Sequence, residues 1–235
     1  MATTETPIPS NTNNGEKKPF RIAVVCEGIQ SSDIVGVDML GNLSRPYVDA
    51  VSSLLDFPPS VQQHAIDNME ILFLGSALGT PSFMTPGIRY LPTATYETCP
   101  RDLDMVFVGG SSPDASGVSE EAKRFVREAW TKTRVWLTTC SGSMWLANMG
   151  VLEGRKCTTN REFLGLAGKM HPAVEWLDQR WVVDEKPFDG EGEDGKKGEL
   201  WTGGGAGAGE FFPVAIMMCL FPGGSMVGRM HFISY

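Results

Sequence analysis

The sequence predicts an α/β protein, an open and mostly parallel sheet sandwiched by helices. Three observations lead there. Short runs that are almost wholly apolar recur at residues 20–26, 69–74, 105–108 and 135–137, as strands covered on both faces require. Between them stand amphipathic segments with helical spacing, so strand, crossover helix and strand repeat. A third observation is the Thr139-Cys140-Ser141-Gly142-Ser143 stretch, where a buried strand passes into a helix through a sharp turn.

The elements follow in order. Residues 20–26 make the opening strand, and Glu27-Gly28 turns the chain. Ile34, Val37, Leu40 and Leu43 mark a helix over 33–43, and a second short helix over 48–55 stops at Phe57-Pro58-Pro59. After the strand at 69–74, residues 75–87 are rich in Gly and Pro and read as a loop. Residues 88–96 read as an extended edge piece, since Pro92 opposes a central place. The strand at 105–108 runs into Gly109-Gly110. Ser119 is the expected cap of a helix over 120–131, with Glu120 and Glu121 in the first turn and Ala122, Phe125, Val126 and Ala129 on one face. The cysteine strand and a helix over 142–149 come next, then strands at 156–159, 176–183 and 200–202. Residues 184–199, acidic and glycine-rich, suit a hairpin tip, and 211–220 read as a closing helix.

Composition narrows the function. A length of 235 residues with 42% hydrophobic content supports one sizeable core. Residues 1–18 read as a disordered polar tail and 19–235 as a single domain. A net charge of −8, from 28 acidic against 20 basic residues, argues against a nucleic-acid surface. No apolar run is long enough to span a bilayer, and the opening residues lack an apolar signal segment, so a cytoplasmic protein is expected. The five cysteines, at 26, 99, 140, 157 and 219, are scattered and include no Cys-x-x-Cys pair. Neither a disulfide framework nor a zinc site is expected.

Ligands of open α/β sheets bind beyond the carboxyl ends of the strands. The segment after Cys26, the Gly109-Gly110 pair and Cys140 all fall there. A free cysteine is often only a small buried hydrophobe. At a strand-to-helix turn, however, its sulfur faces the first unpaired N–H groups and the positive end of the next helix, which suits a nucleophile. The same geometry serves the serine-hydrolase elbow. The glycines at 203–209 lack the lysine of a phosphate loop, and no Gly-x-Gly-x-x-Gly follows the first strand. They read as close helix–sheet packing, and neither a cofactor nor a metal is expected.

Several segments together resemble the DJ-1/PfpI superfamily, the class I glutamine-amidotransferase-like proteins. These are Asp104 to Gly110, the elbow Cys140-Ser141-Gly142 with Leu146-Ala147 and Gly150 to Arg155, the Thr158-Thr159 pair, and Trp201-Thr202-Gly203-Gly204-Gly205. The resemblance implies a flavodoxin-like fold and commonly a homodimer. Ser32-Asp33-Ile34-Val35-Gly36-Val37 resembles the Asp-x-x-Gly-Pro segment of the isonitrile hydratase-like branch, with Val37 in the proline's place. In that branch the aspartate stands beside the cysteine. The protease and glyoxalase branches rely on a histidine. Here Asn160 follows Thr158-Thr159 where a histidine would stand, and His64, His171 and His231 lie in no motif that reaches the elbow.

The resemblance thus implies a cofactor-free hydro-lyase. Cys140 would attack the terminal carbon of a small isocyanide, giving a thioimidate. Asp33, kept partly neutral by desolvation, would protonate the adduct and assist water, releasing an N-substituted formamide. The plainer role for Asp33 is a helix N-cap. The backbone N–H groups of Gly110 and Ser141 are candidate donors to developing negative charge. Gly109, Thr158, Asn160 and Trp201 are candidate pocket residues. Two alternatives remain at this stage: a Cys-dependent glyoxalase or deglycase acting on reactive carbonyls, and a non-catalytic redox-sensing or stress-protective protein in which Cys140 is oxidised.

Overall fold

The computed structural model describes residues 18–55, 62, 65–114, 116, 118–189 and 197–209. Of the tail expected at 1–18 only Lys18 is described, paired with Asp102; the Phe57-Pro58-Pro59 stop, residues 190–196 of the expected hairpin tip and the closing helix expected at 211–220 lie outside the described residues, as do His64 and His231.

Among the described residues seven strands form the main sheet. They are β1 (Phe20–Val25), β2 (Met69–Gly75), β5 (Ala94–Thr95), β6 (Met105–Val108), β7 (Val135–Thr139), β10 (Trp181–Lys186) and β11 (Gly198–Gly203). Their order is β10-β11-β7-β6-β1-β2-β5, and every pairing is parallel except β10 with β11. This is the expected open parallel sheet, with an antiparallel hairpin at one edge. Two ribbons lie outside it, β3 (Ser82–Met84) with β4 (Ile88–Tyr90), and β8 (Lys156–Cys157) with β9 (Glu175–Trp176).

The helices lying wholly in the described residues are α1 (Val35–Gly41), α2 (Arg45–Ser52), α3 (Glu120–Ala129), α4 (Gly142–Ala147), α5 (Leu164–Met170) and the single turn α6 (Ala206–Gly209); short 3₁₀ turns precede α1 (Ser31–Ile34) and α5 (Arg161–Phe163). Alternation along the strands sends side chains into two apolar layers. Ala23, Val25, Val106 and Trp136 pack against Phe125 and Val126 of α3 and Leu146 of α4. Ile22, Val24, Phe107 and Leu137 pack on the opposite face against Val37 and Leu40 of α1. All these residues are buried, and each large side chain taken out of water contributes roughly 1.5–3 kcal/mol before the cost of ordering it.

Several expectations needed correction. The loop expected at 75–87 carries β3, because Ser82–Met84 folds back against Ile88–Tyr90 around Pro86-Gly87. The strand expected at 176–183 breaks in two at Asp178-Gln179, with Trp181 starting β10. The helix expected over 33–43 opens as a 3₁₀ turn. Ser119, by contrast, caps α3 as expected, its hydroxyl accepting from Ala122 N–H at 3.2 Å.

Candidate active site

Register places the site. Val25 of β1 lies beside Val108 of β6, and Val108 beside Thr138 of β7. The three strands therefore end level with one another, and the residues that follow each of them converge. Cys140 follows β7 directly. Its φ is +52°, among the described residues the only positive φ outside glycine. This left-handed turn is costly for a side chain with a Cβ. Two bonds to the Cys140 carbonyl hold it, from the Thr159 hydroxyl at 3.0 Å and the Asn160 N–H at 3.3 Å. Gly142 lets α4 start close against β6, since a Cβ there would lie 2.5 Å from the Val108 carbonyl oxygen. Ser141 donates its hydroxyl to the Ser111 carbonyl at 2.6 Å, and Ser143 to that of Thr158 at 2.8 Å. The strained cysteine is thus fixed from both sides of the turn.

Asp33 comes from the 3₁₀ turn after β1 and is only 1% exposed. It does not cap its own helix. Its Oδ2 accepts the Gly110 N–H at 2.8 Å, and the Gly110 carbonyl in return accepts from Gln30 N–H at 2.9 Å. Gly110 stands between acid and thiol. A Cβ built on it would lie 2.7 Å from Asp33 Oδ2 and 3.1 Å from Cys140 Sγ. Only a glycine lets the two side chains face each other across the strand end. Gly109 does the same for packing, as its Cβ would meet Ile29 Cδ1 at 2.7 Å.

Burial pushes the Asp33 carboxyl above the usual carboxylate range. The Gly110 N–H and then the Thr139 hydroxyl pull the other way, and burial prevails. Thr139 Oγ1 nonetheless closes no hydrogen bond of ordinary geometry. Among the described residues it and Asp33 Oδ1 are both buried without a partner. The second carboxyl oxygen is therefore the one able to carry a proton. The polar side chain on the sulfur itself is Asn160, whose Nδ2 lies 3.5 Å from Cys140 Sγ. Its Oδ1 accepts from Glu162 N–H at 3.0 Å, capping the 3₁₀ turn and fixing the amide's orientation.

The expected site residues thus divide. Cys140, Asp33, Gly109, Gly110 and Asn160 come together. The Gly110 N–H serves the Asp33 carboxylate instead of standing free for an oxyanion, while the Ser141 N–H keeps its place at the start of α4, where helical N–H groups lack intrahelical acceptors. Thr158 turns its hydroxyl to the Gln179 carbonyl at 2.9 Å, and its N–H donates to Thr202 Oγ1 at 2.8 Å. Its role is to join strands. Trp201 is 1% exposed in the apolar layer on the α1 face, with its indole N–H donating to Glu199. It is a core residue, not a pocket wall. Thr139 and Thr159 were not singled out in the sequence, although Thr159 lies in the Thr-Thr pair that marked the segment. His171 caps α5, away from the sulfur's partners. Among the described residues no group of side chains forms a metal site, and no helix is long and apolar enough to cross a membrane.

The site is a cysteine on a strained strand-to-helix elbow, faced by a buried carboxyl across a Gly-Gly strand end, in an open, mostly parallel α/β fold. Residues 68–193 match the family model described as the DJ-1/PfpI family. The chain belongs to that family. It is 28% identical over 176 residues to the isonitrile hydratase of Pseudomonas putida, covering 74% of this chain and 64% of that protein. It is 34% identical over 90 residues to deglycase PfpI of Pyrococcus furiosus, covering 37% of this chain and 52% of the relative. The chain therefore spans between half and two-thirds of the length of these curated relatives. Among solved structures, a ThiJ/PfpI family protein from Pseudomonas syringae superposes with a TM-score of 0.63 at 21% identity, covering 92% of this chain and 76% of that one. Drosophila melanogaster DJ-1beta superposes with a TM-score of 0.61 at 16% identity, covering 93% and 100%. These likenesses establish the fold.

Proposed function

We propose that this protein is a cysteine-dependent hydro-lyase of the isonitrile hydratase kind. The observation that carries the reading is the Asp33–Gly110–Cys140 arrangement, with a buried acid across a glycine from the thiol and an amide, Asn160, on the sulfur. The pair enters the cycle with one proton between them, held on the carboxyl. The sulfur forms a bond to the terminal carbon of an isocyanide, and the Asp33 proton goes to that carbon, giving a thioimidate. Asp33, now a carboxylate, takes a proton from water as the oxygen bonds to the carbon, and passes that proton to nitrogen. The hydroxyl proton then returns to Asp33 as the carbon–sulfur bond breaks and the electron pair leaves with sulfur. The product is an N-substituted formamide, and the pair is restored with its single proton.

Steady-state rates for wild type, Asp33→Asn and Cys140→Ser, each with a melting curve, test this. Asp33→Asn is expected to lose at least about a hundredfold in turnover of an alkyl isocyanide with its fold intact, because general acid–base steps contribute roughly 10²–10⁴-fold. Cys140→Ser is expected to lose all turnover. Wild-type turnover should fall as pH rises through the elevated Asp33 pKa, since the acid form is the one consumed. Near-wild-type activity in folded Asp33→Asn overturns the reading. A second reading, action on reactive carbonyls, is favoured by the 34% identity to the Pyrococcus furiosus deglycase across 90 residues. Turnover of methylglyoxal with none of isocyanide would select it.

A further inference from the structure

A cleft of about 510 Å³ opens beyond the carboxyl ends of β1, β2 and β6, and neither Cys140 nor Asp33 lines it. It lies on the α3 and α4 side of the sheet, where Tyr96, Val118, Ala122 and Trp145 form an apolar wall. Among the described residues Glu27 is the only charged one in its lining. The Glu27 carboxylate is held by neutral donors, the Ser76 N–H at 2.8 Å, the Ser76 hydroxyl at 3.1 Å and the Ser82 hydroxyl at 3.2 Å, and the buried Tyr96 hydroxyl also turns toward it. No cation answers it, for among the described residues none of the ion pairs includes Glu27. The positive end of α3 also borders the cleft. There Ser119 Oγ already takes the Ala122 N–H, and Glu120 and Glu121 add negative charge to the first turn. The Ser111 hydroxyl, on the same wall, is buried without a partner among the described residues.

A fixed, unpaired carboxylate beside an aromatic wall is the recognition chemistry of a small organic cation. We propose that this cleft is a second binding site, for a primary ammonium compound with an apolar body. Its ammonium would be held at Glu27 and its body laid against Tyr96 and Trp145. Binding here does not depend on the reaction assigned to Cys140.

Titration of the full chain with benzylammonium, followed by amide and indole resonances in two-dimensional NMR, tests the proposal. Shifts are expected at Ser76, Ser82 and the Trp145 indole, the last assigned by comparison with Trp145→Phe. Neutral benzyl alcohol and anionic phenylacetate should bind at least about tenfold more weakly, as should benzylammonium to Glu27→Gln, because each removes the charge-assisted hydrogen bond. Cys140→Ser should bind benzylammonium as wild type does, so loss of the hydratase reading leaves this one standing. The proposal is overturned by equal binding of the three probes, by shifts centred on Cys140 and Asn160, or by none at millimolar benzylammonium. The three-probe comparison needs no variant and decides the matter if Glu27→Gln does not fold.

Discussion

Gly110 sets how near an acid can stand to the thiol, and its missing side chain is worth more to the site than any side chain it could carry. The Gly-Gly pair after a buried strand was legible in the sequence, as were Cys140 and Asp33, because strand ends of a parallel sheet converge. What was not legible was the use of each group. The Gly110 N–H goes to Asp33, and Asn160, one pocket candidate among several, turns out to touch the sulfur. Such assignments depend on ångström differences between loops from separate strands, which no residue pattern encodes. At this scale the thiols are also distinguishable. Burial pushes Cys26 and Cys99 up to about 12 and also raises Cys157, whereas Cys140 lies on the elbow before the N-terminus of α4. Iodoacetamide at neutral pH is therefore expected to label Cys140 before Cys26, Cys99 and Cys157 in peptide mapping. Equal, slow labelling of these four would remove the case for Cys140 as a nucleophile.

Among the elements, those with clean periodicity were legible, including β1, β2, β6, β7 and α3. The β3–β4 ribbon was not, because Pro and Gly density resembles a plain loop and its pairing is settled by contacts with residues 28–30. Nor was the fate of Lys186, which reads as a solvated hairpin residue yet is 2% exposed. Its ammonium donates to the carbonyls of Trp130 at 2.6 Å, Thr133 at 2.8 Å and Pro187 at 2.8 Å, closing the C-terminal end of α3 against β10. Burial pushes this amine down to about 7 from 10.5, against the pull of Asp189. Lys186→Met is expected to cost roughly 1–3 kcal/mol, because it leaves the buried Trp130, Thr133 and Pro187 carbonyls without their donor. Because the folded pKa is the lower one, the unfolded chain binds the extra proton between about 7 and 10.5. The wild type should lose stability as pH falls through that window, a slope the variant should lack. Urea midpoints at pH 7 and pH 10 for both proteins check the pair of claims, and parallel slopes would refute the second.

For the whole molecule, we propose a homodimer. Phe83 and Ile88 on the β3–β4 ribbon are 53% and 46% exposed, with Leu91 beyond it at 61%. That ribbon joins the segment leading to Asp33 through Thr85 N–H to the Ile29 carbonyl at 2.9 Å. Light scattering at micromolar concentration should give twice the 25.6 kDa chain mass, and Phe83→Asp with Ile88→Asp should give the single mass. A wild type that runs as a monomer removes the proposal. The order of the central strands carries one more consequence, for the life history of the chain. The loop bearing Asp33 and the turn bearing Cys140 belong to strands that never touch, with β6, and hence Gly110, between them. Contacts between segments so distant in sequence form slowly, because loop closure is paid before they reward it. A nascent or partly denatured chain consequently bears the thiol and the acid as strangers, and no fragment lacking any one of the three strands inherits the pair. Regained turnover of the proposed reaction after dilution from urea is then expected to require docking of β1 and β7 onto β6.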